Sequence, residues 1–315
     1  MLSAETESIE RCVAHCHAEL ECEPLRPLLI PSLIGRLTRT PSASATMVVL
    51  VQELFDTIID EVGAKKPRDY ATLWACSLTA RAFAERSQRN LFHSFTLKDT
   101  GRTAIQAAAA LIDSPHIASY IRDLHIQLGF YNDSLRTPLT ALFPLLSNIC
   151  RLGISSPYVD WHWNTLPVSF RAALVGLLST PSLRCLALAK CTGVPSSIIR
   201  HALLSYRELT LNTVGILLED EVFPYADELQ AKSPSSPIPL DLLAVSYTQN
   251  FEQAGLLYAV ILADTMVTRL HHLRHLELHI LETRSLGPLE ILAVKSAESL
   301  EHLVIHSRSR SAIPL

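Results

Sequence analysis

The chain has little glycine, few aromatic residues and no excess of positive charge. Ten glycines in 315 residues leave little material for phosphate-cradling turns, and no Gly-rich loop ending in Lys-Ser or Lys-Thr is present. No nucleophile elbow and no paired-His metalloprotease motif occurs either, so no established catalytic signature is visible. Aromatics at 6% argue against an all-β sandwich. A formal net charge of -4 supplies no basic face for nucleic acid. No window holds the roughly 18 to 20 uninterrupted apolar residues of a membrane-spanning helix. Residues Phe251 to Met266 come closest but are interrupted by Glu252, Gln253 and Asp264. The acidic start (Glu5, Glu7, Glu10) does not fit a secretory signal. Seven cysteines without framework spacing suit reduced thiols, and the expected location is cytoplasmic or nuclear.

What the chain has is leucine, within a hydrophobic fraction of 48% that excludes wholesale disorder. Residues 1–46, with prolines at Pro24, Pro27, Pro31 and Pro41 followed by small polar residues, read as a weakly ordered extension. Residues 47–97 read as a helical module. Leu50, Leu54, Ile58 and Val62 recur every four residues and share one side of a helix, which Gly63 and Pro67 end. Asp69 is an N-cap candidate for a second helix through Leu73, Trp74, Ser77, Leu78, Arg81 and Ala82. Leu91, Phe92, Phe95 and Leu97 close the module as a turn into a first strand.

Residues 98–315 repeat themselves. A unit with apolar residues at its first, fourth and sixth positions recurs as Ile121, Leu124, Ile126, then Ile149, Leu152, Ile154, then Leu183, Leu186, Leu188. It continues as Tyr206, Leu209, Leu211, then Leu240, Leu243, Val245, then Leu273, Leu276, Leu278, then Leu300, Leu303, Ile305. Central positions lie about 23 to 34 residues apart, near the upper edge of the leucine-rich-repeat range. Helix-like runs fall between them, at Thr103 to Ile112, Thr137 to Leu146, Phe170 to Leu178 and Phe251 to Ala263. One strand and one helix cannot seal a core, but stacked neighbours can. The expected fold class is therefore α/β, a helical module followed by an irregular solenoid of parallel strands lined by helices. Of the residues that usually close the motif only Cys191 is present, so irregular turns are expected. Pro-Ser-Ser-Pro at 234–237 falls in a loop of one long repeat. A last strand so close to Leu315 would leave an apolar edge open.

Alternation turns Asp123, His125 and Gln127 outward, likewise Glu208, Thr210 and Asn212, then His275, Glu277 and His279, then His302 and His306. Such a polar sheet face is where solenoids bind partners. Cys185, Ala187 and Ala189 leave a small, flat patch between them. His271, His275 and His279 have helical spacing, but Leu273, Leu276 and Leu278 favour a strand; Cys12, Cys16, His17 and Cys22 fit no zinc module. No metal or other cofactor is expected. Trp161 and Trp163, flanking His162, are expected to pack between repeats.

The segment Leu50-Val51-Gln52-Glu53-Leu54-Phe55-Asp56-Thr57-Ile58-Ile59-Asp60-Glu61-Val62 resembles the opening of the F-box. Leu73-Trp74-Ala75-Cys76-Ser77-Leu78-Thr79-Ala80-Arg81-Ala82-Phe83 is similar to its second half, and Leu91-Phe92-His93-Ser94-Phe95-Thr96-Leu97 to the joint with a first repeat. Residues 48–307 together look like the fungal F-box proteins with divergent leucine-rich repeats. The resemblance implies a non-catalytic substrate receptor of an SCF-type ubiquitin ligase. Leu50, Glu53, Leu54, Ile58, Leu73, Cys76, Leu78 and Arg81 would contact the adaptor subunit, and the repeats would hold a protein substrate. The proline usual after the first leucine is Val51 here. That departure favours the alternative, a protein-interaction scaffold in which the helical module only caps the repeats.

Overall fold

The computed structural model describes residues 52–64, 68–79, 81–98, 102–128, 135–156, 161–217, 229, 238–246, 251–263, 270–280 and 286–307. Leu50, the cysteines of the first 46 residues and the 234–237 turn lie outside them. The chain divides into two compact units, Met1–Leu91 and Phe92–Leu315.

The first unit contains helices α1 (Gln52–Ala64), α2 (Tyr70–Thr79) and α3 (Arg81–Phe92). Asp69 caps α2 as its side chain suits it to do: Oδ1 accepts from the Thr72 amide at 3.0 Å and Oδ2 from the Thr72 hydroxyl at 2.7 Å. α1 and α3 are tied by Arg86, whose Nε donates to Asp60 Oδ1 at 2.8 Å, and by Asn90, whose amide donates to the same oxygen at 3.0 Å. The hydrogen-bonded Arg86 guanidinium holds the Asp60 carboxyl below its ordinary value. Phe55 and Phe83 meet edge to face at 4.8 Å.

In the second unit nine strands, among the described residues, form one parallel sheet. They are β1 (Ser94–Lys98), β2 (Asp123–Gln127), β3 (Arg151–Ser155), β4 (Trp161–His162), β5 (Cys185–Pro195), β6 (Glu208–Leu217), β7 (Leu242–Ser246), β8 (His275–Ile280) and β9 (His302–Ser307). Their order follows the chain, with the two-residue β4 pairing beside β5. The crossovers carry helices α4 (Arg102–Asp113), α5 (Pro115–Ala118), α6 (Arg136–Leu142), α7 (Val168–Leu178), α8 (Ser196–Ser205), α9 (Phe251–Ile261) and α10 (Leu286–Ser296). The four helix-like runs read from the sequence correspond to α4, α6, α7 and α9.

The register shows why the repeat reads as it does. Leu124, Leu152, Leu186, Leu209, Leu243, Leu276 and Leu303 pair in one row across the strands, and Ile126, Ile154, Leu188, Leu211, Val245, Leu278 and Ile305 in the next. Phe95 and Leu97 head these rows in β1. The sheet thus begins at Ser94, where the sequence reading places a turn into a first strand. Along the rows the side chains join one continuous core from Leu97 to Leu292. At β9 the same positions are open, with Leu303 46% and Ile305 53% exposed.

Two strands are longer than the five-residue repeat unit suggests. β5 and β6 continue past residues at positive φ, Lys190 (53°) and Thr213 (55°), to a second paired position, Cys191 opposite Val214. Both partners are fully buried, so Cys191 acts here as a core side chain within β5, just before a register shift. Trp161 and Trp163 are also buried, ring centroids 6.3 Å apart. His162 beside them leans over Gly193, whose φ of +67° and closeness to the imidazole leave no room for a side chain.

Candidate protein-interaction surfaces

Each unit presents one surface suited to a partner. In the first it is apolar. Leu54 (46% exposed) and Ile58 (49%) on α1, with Trp74 (55%) and Leu78 (71%) on α2, put four large hydrophobic side chains in water. Exposed apolar side chains grouped on one face are candidates for a docking surface, whereas scattered ones are ordinary monomer surface. They are open because α1 spends its inward positions on Ile59 and Gly63, and α2 spends its own on Leu73.

The docking set read from the sequence is sorted by this arrangement. Leu54, Ile58 and Leu78 are exposed, as is Glu53, and Cys76 is half-buried. Leu73 is completely buried, so its side chain packs the module and offers nothing to a partner. A leucine has the same identity in either role, and only the helix's rotation against α1 separates them. Trp74, next to it, is the exposed residue the sequence reading did not place in the set. A large aromatic beside a core leucine on an amphipathic helix was the available signal. Leu50 and the side chain of Arg81 lie outside the described residues.

In the second unit the surface is the outward face of the sheet, and it is polar. The register sets three rows on it. One runs Ser94, Asp123, Arg151, Cys185, Glu208, Leu242, His275, His302. The middle row runs Thr96, His125, Gly153, Ala187, Thr210, Ala244, Glu277, Val304. The third runs Lys98, Gln127, Ser155, Ala189, Asn212, Ser246, His279, His306. Every described candidate on this face is exposed or half-buried, namely Asp123, His125, Gln127, Glu208, Thr210, Asn212, His275, Glu277, His302 and His306. The side chain of His279 lies outside the described residues.

Cross-strand contacts organise the face. His125 Nε2 and the Ser155 hydroxyl are 2.8 Å apart, with the imidazole lying over Gly153, where an added Cβ would meet Nδ1 at 3.1 Å. Enclosure by the sheet, then the charge of Lys98, lowers the pKa of His125, so it is neutral at physiological pH. Arg151 reaches across β5 to Glu208 Oε2 at 3.2 Å, passing Cys185 Sγ at 3.8 Å. Burial, then hydrogen bonding to Glu208, pushes the Cys185 thiol up to about 11. It therefore stays protonated at neutral pH and is a poor nucleophile. At the far end His306 Nε2 sits 3.3 Å from Glu277 Oε1, and the rings of His275 and His302 are 5.7 Å apart.

Among the described residues no group of three or more His, Cys, Asp or Glu side chains is placed to hold a metal ion. No described helix is long and apolar enough to cross a membrane. His271 falls in a turn, and His275 and His279 lie in β8, so the three histidines at helical spacing in the sequence do not share a helix. No protein-family model matches the chain, and a search of curated proteins finds no significant match.

Proposed function

We propose that the chain is a substrate receptor of an SCF-type ubiquitin ligase: the helical module docks the adaptor subunit, and the outward face of the parallel sheet holds a protein substrate. The observation that carries the reading is the apolar set Leu54, Ile58, Trp74 and Leu78 on α1 and α2. A module serving only as a cap has no use for four large hydrophobic side chains in water, whereas a helix-docking interface does. The polar sheet face supports the second half of the reading through its organised cross-strand contacts at Arg151–Glu208 and His125–Ser155. The chain's contribution is proximity, raising the effective concentration of substrate near the ubiquitin-carrying subunit.

The test is capture by purified adaptor of the full chain and of a Leu54→Asp, Ile58→Asp double variant. Both positions are exposed, so the variant keeps its helical content by circular dichroism. Binding by the wild type, lost in the folded variant, is the expected result. No binding by a folded wild type would overturn the ligase reading in favour of a scaffold.

A further inference from the structure

The last repeat is where the core rows of the sheet reach water. Of the ten large hydrophobic side chains exposed among the described residues, four belong to it: Ile291 and Val294 on α10, Leu303 and Ile305 on β9. At the opposite edge of the sheet, Leu97 of β1 holds the same row position and is buried. Among the described residues β9 pairs with β8 alone, so its other side is an edge. The His302 amide donates to the Arg274 carbonyl at 2.9 Å, toward β8. Backbone groups alternate along a strand, so those of Leu303 and Ile305 turn to the open side. The usual guards of an edge strand, a lysine, a proline or a bulge, are missing between His302 and His306. The edge is also symmetric, since His302-Leu303-Val304-Ile305-His306 reads as the same pattern of residue types in both directions about Val304.

We infer that a second copy of this chain pairs with that edge, β9 antiparallel to the partner's β9 about a two-fold axis through Val304. A two-fold contact needs a self-complementary surface, and this strand is one. Antiparallel neighbours must both turn their backbone groups to the seam or both away from it. The axis can therefore fall on Leu303, Val304 or Ile305, but not between residues. Centred on Leu303, it would set Ile305 against the partner's Glu301; centred on Ile305, it would set Leu303 against the partner's Ser307. Centred on Val304, it sets Leu303 against the partner's Ile305 twice, with backbone hydrogen bonds exchanged at each pair, and the two Val304 residues meet on the outward face. The leucine and isoleucine rows of one copy then run on into the other. The axis stands perpendicular to the sheet, so both copies of α10, with Ile291 and Val294 exposed, lie on the same side of it. Head-to-tail stacking on β1 lacks this apolar match because Leu97 is already covered, so association stops at two. One strand pair is a small interface, so the dimer forms at about 10 to 100 µM chain, and dilute protein is a monomer with β9 open.

The experiment is sedimentation velocity of the full chain from about 1 to 200 µM, beside a Leu303→Lys, Ile305→Lys variant. Both side chains are exposed in the monomer, so the variant keeps its fold by circular dichroism. The wild type should pass from monomer to dimer and no further. The variant should raise the dissociation constant about a hundredfold or more, because four part-exposed apolar side chains lose their cover. The register has a readout of its own. Val304→Cys sets two thiols at a non-hydrogen-bonded pair, with Cα atoms about 4.5 Å apart and within disulfide reach. Oxidation with copper phenanthroline should then cross-link that variant to a covalent dimer that the wild type does not give. A wild type that is monomeric throughout overturns the inference, as does a dimer that persists in the folded lysine variant. A Val304→Cys protein with no added cross-link, or oligomers that keep growing with concentration, would overturn it too.

Discussion

Replacing Tyr206 by phenylalanine removes one oxygen from the core without changing its shape. Tyr206 is fully buried, and its hydroxyl donates to the Leu178 carbonyl at 2.6 Å. Leu178 ends α7, so its carbonyl has no partner within the helix. His201 Nε2, 3.4 Å away, takes up only part of the loss. The cost at pH 8 is therefore about 1 to 2 kcal/mol, or about 2 to 8 °C in Tm for a unit of this size. Burial also pushes the phenol of Tyr206 far above the ordinary tyrosine range. A raised folded-state pKa contributes stability that is present below the unfolded pKa, near 10, and is lost as pH rises above it. At pH 11 about ten unfolded phenols in eleven are ionised, which removes about 1.4 kcal/mol from the wild type and nothing from the variant at this position. The two proteins should differ at pH 8 and nearly converge at pH 11 in guanidinium unfolding, with all other titrations common to both. An undiminished gap at pH 11, or no gap at pH 8, would refute the reasoning.

The core rows make a graded prediction. Leu209→Ala, at a fully buried position, should cost about 2 to 5 kcal/mol, whereas Leu303→Ala in the open last strand should cost under about 1 kcal/mol; equal losses in urea unfolding would mean the last strand is covered. Gly193→Ala should lose about 1 to 2 kcal/mol for its left-handed backbone. Because an added Cβ would also lie 2.4 Å from His162 Cε1, a His162→Ala background should recover only the steric part.

Much of the fold is legible in the chain itself. The two apolar positions of each repeat, Leu124 with Ile126 through Leu303 with Ile305, fall in register across the sheet because a two-residue alternation is a local property that stacking copies. Asp69 capping α2 was readable for the same reason, as its partner Thr72 is three residues away. The polar outward positions followed from the same alternation. The docking face was legible only in part: helical spacing placed Leu54 and Ile58 together but could not say that Leu73 is interior and Trp74 exposed. That depends on how α2 rotates against α1, and leucine and tryptophan are both plausible on either side.

By itself, then, the sequence determined the repeat, its period and the parity of each strand, because these are written in contacts between near neighbours. Tertiary structure alone decided the extension of β5 and β6 to Pro195 and Leu217 and the cross-strand contacts of the outward face. Arg151 meets Glu208 across 57 residues of chain, and His306 meets Glu277 across a strand boundary. Such pairs come into reach only when the repeats stack, and no local pattern encodes how far one strand lies from the next but one.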